Sequence, residues 1–195
     1  NPALTEHIFK TPAPIESHYD LSSSEGLAAF DTDNTNFQES SNAVGSAMGV
    51  YGLSSMAFAL LFTFYTSKRT INRKYVHMGS LTLGGIGFLA MYIATPDQLK
   101  YCFTLIGFAW GSILSMPYAM LSSSVDSNKM GVFMGIFNMF IVIPQIAAAL
   151  GAINFLSNLF GPEAINSMTL AGISLIFAAL CNLLITNPSA IRYQS

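Results

Sequence analysis

From residue 43 onward apolar positions run in five long stretches, 43–66, 75–94, 99–124, 130–158 and 165–186, separated by short polar breaks. Each is about as long as a helix needs to be to cross a bilayer, roughly 20 residues. Inside the stretches small and polar residues recur at helical spacing. In the fourth they are Gly131, Gly135, Asn138, Val142 and Gln145, spaced 4, 3, 4 and 3. On a helix that spacing puts them on one face. An unpaired amide in hydrocarbon is costly, so this face is expected to look at other helices or at a water-filled path. Pro144 removes one helical hydrogen bond and predicts a kink there. The third stretch carries a similar face, Gly107, Gly111, Ser115, Tyr118 and Ser122, with Pro117 beside the tyrosine. Gly45, Gly49 and Gly52 in the first stretch, and Gly79, Gly84, Gly85 and Gly87 in the second, predict close helix approach.

The pattern before residue 43 differs. Residues 1–42 are polar and hold seven of the ten acidic residues. Pro2, Pro12, Pro14, the serines 22–24 and the Asp31-Thr32-Asp33-Asn34 cluster suggest a solvated external loop, with a short helix near residues 25–30. A lid over an entrance is the functional alternative. Gly161 and Pro162 predict a turn before the last stretch. Residues 187–195 read as a tail.

Composition sharpens this picture. The chain is 52% hydrophobic and 9% charged, where a soluble domain carries roughly 25% charge. The fold class expected is all-α, a polytopic helical membrane protein with five transmembrane helices. Basic residues set its orientation. Lys68, Arg69, Arg73 and Lys74, then Lys129, then Arg192 fall on one side of the spans, which predicts that loop 67–74, loop 125–129 and the C-terminus are cytoplasmic and residues 1–42 external. One short basic loop does not make a nucleic-acid surface. The chain opens without Met or a secretory signal, and the odd number of spans fits a piece of a longer protein. Cys102 and Cys181 sit in apolar runs and read as small buried hydrophobes. There is no metal-ligand spacing and no cofactor motif, and no nucleophile–base pair suggests an enzyme.

Candidate chemistry is therefore neutral. No Asp, Glu, Lys or Arg lies within the embedded part of a span, and His77, near the start of the second, reads as interfacial packing. What remains are Asn138, Gln145, Tyr118, Trp110, Ser115 and Ser122. Amides and hydroxyls match sugar hydroxyls, and aromatic faces stack on sugar C–H surfaces, so a polyhydroxylated solute is expected along this path. The alternative for each residue is interhelical hydrogen bonding. Gly107, Gly111, Gly131 and Gly135 are expected to pack helices, Pro117 and Pro144 to bend them.

The run 131–145, G-V-F-M-G-I-F-N-M-F-I-V-I-P-Q, resembles the penultimate helix of the sucrose-transporter-like branch of the major facilitator superfamily, whose members include glycoside, maltose and sucrose symporters. The run 107–122, G-F-A-W-G-S-I-L-S-M-P-Y-A-M-L-S, is similar to the preceding helix of that branch. Loop 67–74 sits where the superfamily has its second cytoplasmic loop motif, but lacks the Asp before the first basic residue and the Gly between the later ones. The resemblance covers residues 43–186. It implies that the five spans are helices eight to twelve of a twelve-helix transporter, working by alternating access. Residues 1–42 would then connect helices seven and eight. It further implies a sugar substrate, a coupling cation, the proton first, and an N-terminal half that supplies the coupling carboxylate. The protein would sit in a bacterial inner membrane. Two alternatives stand beside it: an exporter or facilitator of another small solute, and a membrane assembly subunit that transports nothing.

Overall fold

The computed structural model describes residues 2–66, 71–152, 161 and 163–185. Six helices organise them: α1 (Pro2–His7), α2 (Ser24–Thr66), α3 (Arg73–Ala90), α4 (Leu99–Ser124), α5 (Met130–Ala147) and α6 (Ala164–Cys181). Four segments are long and apolar enough to cross a membrane: α2, Pro96–Ser124, Ser127–Gly151 and Ala164–Leu184. The protein is a multi-pass, all-α membrane protein. The second expected span, α3, has 18 residues and opens on Arg73 and Lys74. It is less apolar because its first turns carry Arg73, Lys74 and His77, and it packs on α4 on one side and on α6 on the other. α2 lies against the outer side of α4.

Backbone hydrogen bonds and caps explain the breaks. Asn72 caps α3 by accepting from Lys74 N–H at 3.1 Å. Pro96 stops the chain after α3, and Gln98 Oε1 accepts from Thr95 N–H at 3.2 Å before α4 begins. Asp126 accepts from Asn128 N–H at 3.0 Å and turns the chain into α5. Gly161, with φ 101°, takes a left-handed conformation that favours glycine, ahead of α6.

Glycines bring the inner helices together. A Cβ at Gly85 would stand 2.9 Å from Gly172 O, and one at Gly172 would stand 2.9 Å from Gly85 O. Neither helix can carry a side chain there without moving apart. Gly107 and Gly111 do the same for α4, whose glycines face Tyr51, Ser54 and Ser55 of α2. On α2 the glycines themselves are elsewhere. Among the described residues nothing lies within 4 Å of a Cβ built at Gly45, Gly49 or Gly52, because the face of α2 toward α4 is the one carrying Val44, Ala47 and Ser54.

The N-terminal region departs most from the sequence expectation. The external loop with a short helix at 25–30 is, from Ser24 on, part of a single 43-residue helix. At 1.5 Å per residue α2 is about 65 Å long, against roughly 30 Å of hydrocarbon. Ser23 opens it, accepting from Gly26 N–H at 3.0 Å. The turn-forming residues do not turn because their hydroxyls bond back to the helix. Thr32 donates to Ala28 O at 2.8 Å, Thr35 to Asp31 O at 2.8 Å and Ser40 to Asn36 O at 2.9 Å. The segment before α2 folds back on it. Tyr19 donates to Asp33 at 2.7 Å, and that bond raises the Tyr19 pKa above its ordinary value. Nor is the start of the chain solvated. Leu4 and Ile8 are buried with Val44, Met91, Leu99 and Ile165 in one apolar cluster.

The opposite end of the bundle is tied by polar bonds from the start of α3. Arg73 Nη1 donates to Ala119 O at 2.9 Å. Lys74 Nζ donates to Leu183 O at 2.8 Å and Ile185 O at 2.7 Å, and Asn182 Nδ2 donates to Lys74 O at 2.9 Å. The start of α3 thus lies beside the ends of α4 and α6, the arrangement of antiparallel spans. Lys68, Arg69 and Arg192, which the orientation also uses, lie outside the described residues, as do Pro162 and residues 187–195.

Candidate functional site

The two polar faces read from the sequence meet at one point. Tyr118 of α4 and Asn138 of α5 are 20 residues apart in sequence. The Tyr118 hydroxyl donates to Asn138 Oδ1 at 2.8 Å. The neighbouring Phe137 meets the Tyr118 ring edge-on, with centroids 5.0 Å apart and planes at 74°. Few other contacts join α5 to α4. Among the described residues α5 buries none of its side chains, so its polar face is open to whatever approaches.

The remaining members of that face are placed differently. Gln145 is exposed, two turns beyond Asn138 or about 10 Å along the axis. Gly131 and Gly135 have nothing within 4 Å of a built Cβ, so among the described residues no helix packs on them. Ser115 donates to Gly111 O at 2.8 Å and Ser122 to Ala119 O at 3.1 Å, so each hydroxyl proton stays with its own helix. Pro117 and Pro144 both lie inside continuous helix. α5 runs through Pro144 to Ala147 and then widens into a π turn at Ala148–Ala152. The departure from helical geometry comes at Gly151, with φ 110°, a conformation closed to residues that carry a Cβ. The fourth expected span thus breaks later than Pro144. Its last part, residues 153–158, lies outside the described residues.

Trp110 faces a different place. With Tyr51, 6.3 Å away between ring centroids, it lines a groove of about 580 Å³ between α2, α3, α4 and α6. Phe88, Met91, Ile106 and Met168 complete walls that are almost wholly apolar. The structure therefore separates Trp110 from the Tyr118–Asn138 pair.

Sequence reasoning missed one feature. Arg73 and Lys74 were read as topology markers, yet both grip backbone carbonyls of neighbouring helices. Their position at the first turn of α3 was the available clue, since cations stabilise helix C-termini rather than N-termini. His77 is buried, and its Nδ1 lies 2.7 Å from Ser112 Oγ, joining α3 to α4. That is a packing role, as read from the sequence. Of the cysteines, Cys102 is buried as expected, but Cys181, at the last turn of α6, is exposed. Among the described residues no cluster of His, Cys, Asp or Glu could hold a metal ion.

Comparison with known proteins gives the frame for these residues. The profile of the Major Facilitator Superfamily matches residues 20–194. The chain belongs to that superfamily, whose members are transporters and not enzymes. It is also similar to the class G tetracycline resistance protein of Vibrio anguillarum, 29% identical over 115 residues, which are 59% of this chain and 29% of that protein. The matched part thus spans less than a third of the relative's length. No solved structure matches.

Proposed function

We propose that this Major Facilitator Superfamily chain supplies the C-terminal helices of a sugar transporter that works by alternating access and is coupled to a cation, the proton first. The observation that carries the reading is the Tyr118–Asn138 pair. A phenol, a neutral amide and an edge-on phenyl ring on an exposed helix face form a surface suited to a polyhydroxylated solute. The amide hydrogen-bonds sugar oxygens, and the rings pack on sugar C–H faces. Gln145, about 10 Å further along α5, is at the distance of the second ring of a disaccharide such as maltose or sucrose. Ser115 and Ser122 of α4 belong to the same path. The coupling carboxylate belongs to the N-terminal half of the transporter, which closes the path from the other side. The basic loop 67–74 and the C-terminus are cytoplasmic and residues 1–42 external, in a bacterial inner membrane.

The test is maltose and sucrose uptake by the full transporter, normalised to protein in the membrane. Asn138→Leu removes the amide at nearly constant volume. It is expected to raise the half-saturation concentration about five- to tenfold, the effect of one lost hydrogen bond of about 1 kcal/mol or somewhat more. Unchanged half-saturation and maximal rate for both Asn138→Leu and Gln145→Leu would take these residues out of the path.

A second reading rests on the groove at Trp110. An apolar space of about 580 Å³ suits a flat apolar solute better than a sugar, and the similar Vibrio protein is named for tetracycline resistance. Here Trp110→Ala would lower resistance to tetracycline in cells carrying the transporter, while Asn138→Leu would leave it unchanged.

A further inference from the structure

We propose that a cleft beside the first turns of α2, lined by Lys10, His18, Tyr19, Asp33 and Asn36, is a second sugar site that holds the solute before it enters the path between the helices. The inference rests on the sugar reading above. The cleft has a volume of about 380 Å³, a size suited to a small solute. After α1 the chain turns sharply: Thr11 N–H donates to Thr5 O at 3.0 Å, and Lys10 takes a left-handed φ of 58°. The residues that follow form one wall of the cleft and α2 forms the other. Tyr19 fastens the two together. Its hydroxyl donates to Asp33 Oδ2 at 2.7 Å, and Phe30 meets its ring edge-on, with centroids 5.3 Å apart and planes at 76°. The aromatic part of the cleft is therefore in place before a solute arrives, which lowers the ordering cost of binding.

The polar side chains of the cleft are free to bind. Asp33 and Asn36 are three residues apart on α2 and share a helix face. Asp33 Oδ1, the Asn36 amide, the His18 imidazole and the Lys10 ammonium have no hydrogen-bond partner among the described residues. They offer a carboxylate oxygen that only accepts, an ammonium that only donates, and an amide and an imidazole that do both. The hydroxyls of a sugar donate and accept at adjacent carbons, so they match such a mixed set, and a sugar C–H face can pack on Tyr19. With His18 neutral, one ammonium and one carboxylate balance among the lining side chains, so the cleft favours a neutral solute over an ion. In the orientation proposed above it opens to the outside, where a solute for uptake arrives.

The experiment is protection from chemical modification, on intact cells carrying the full transporter. Ala13 lines the cleft and Glu25 does not. Ala13→Cys and Glu25→Cys are each treated with an impermeant thiol reagent, with and without maltose or sucrose, and compared with the protein lacking the added cysteine. A sugar at about ten times its midpoint concentration should slow modification of Ala13→Cys about tenfold and leave that of Glu25→Cys unchanged. Asn36→Ala removes an amide that has no partner among the described residues, so the fold should tolerate it, and it should raise the midpoint for protection about fivefold. Asn138→Leu, which acts in the path, should leave the protection intact. No protection by either sugar, with uptake of labelled sugar intact, would overturn the cleft and leave the sugar reading standing. Protection of Glu25→Cys equal to that of Ala13→Cys, an unchanged midpoint in Asn36→Ala, or protection abolished by Asn138→Leu would show that the cysteine reports an event elsewhere, and would also overturn the cleft. Absence of both protection and uptake would remove the cleft and the sugar reading together.

Discussion

Single side chains in this protein act mostly by satisfying a neighbour. Ser112 is fully buried, and its hydroxyl meets His77 Nδ1 at 2.7 Å. Replacing His77 by Phe would keep an aromatic ring but strand that hydroxyl, at a cost of about 1–3 kcal/mol. The double variant His77→Phe, Ser112→Ala removes both partners and should recover much of the loss. Thermal unfolding of the purified full transporter in detergent checks this. A double variant no more stable than the single one would mean that ring shape, not the hydrogen bond, holds α3 to α4. Arg73 and Lys74 work in the same way on backbone carbonyls. Both were visible in the sequence as charges, but the carbonyls they reach belong to helices about 45 and 110 residues away, and no local pattern encodes such a partner.

For the helices, the contrast among glycines gives a sharper test. Gly85→Leu must push α3 and α6 apart, since even a Cβ there would lie 2.9 Å from a backbone oxygen. A Cβ built at Gly45 meets nothing within 4 Å among the described residues. Monodisperse yield on size exclusion is expected to collapse for Gly85→Leu and to change little for Gly45→Leu. A collapse for Gly45→Leu would show that a partner helix covers that face of α2 in the complete transporter. Spans were legible because an apolar run of this length has few other uses. Gly84, Gly85 and Gly87 of α3 and Gly107 and Gly111 of α4 were legible because small residues at helical spacing are what close approach requires, whereas Gly79 of α3, expected to pack with them, has no neighbour within 4 Å of a built Cβ among the described residues. The free glycines of α2 and α5 show the limit: the spacing announces a packing face without saying what packs on it. The N-terminal helix was misread for another reason. Its Asp, Asn, Thr and Ser are turn formers by composition, and only the bonds of Thr32, Thr35 and Ser40 to their own helix remove the competition.

Over the whole molecule, the bundle has two unlike ends. One is held by an apolar cluster that includes Leu4, Met91 and Ile165, the other by Arg73, Lys74 and Asn182. With the basic end inside, a cysteine replacing Asn34 should react with an impermeant thiol reagent on intact cells, and one replacing Ser127 should react only after permeabilisation. Reaction of Ser127→Cys in intact cells would invert the orientation. The length of α2 bears on how such a protein could be watched. If about 30 Å of its roughly 65 Å lies in hydrocarbon, the remainder stands in water as a stiff arm, with the segment that carries Tyr19 folded back along it. A rocking of its embedded part by about 10° would sweep the tip by about 6 Å at that reach. A dye attached near Glu25 would therefore magnify a tilt too small to resolve among the packed spans, and would let single transport cycles be timed by light.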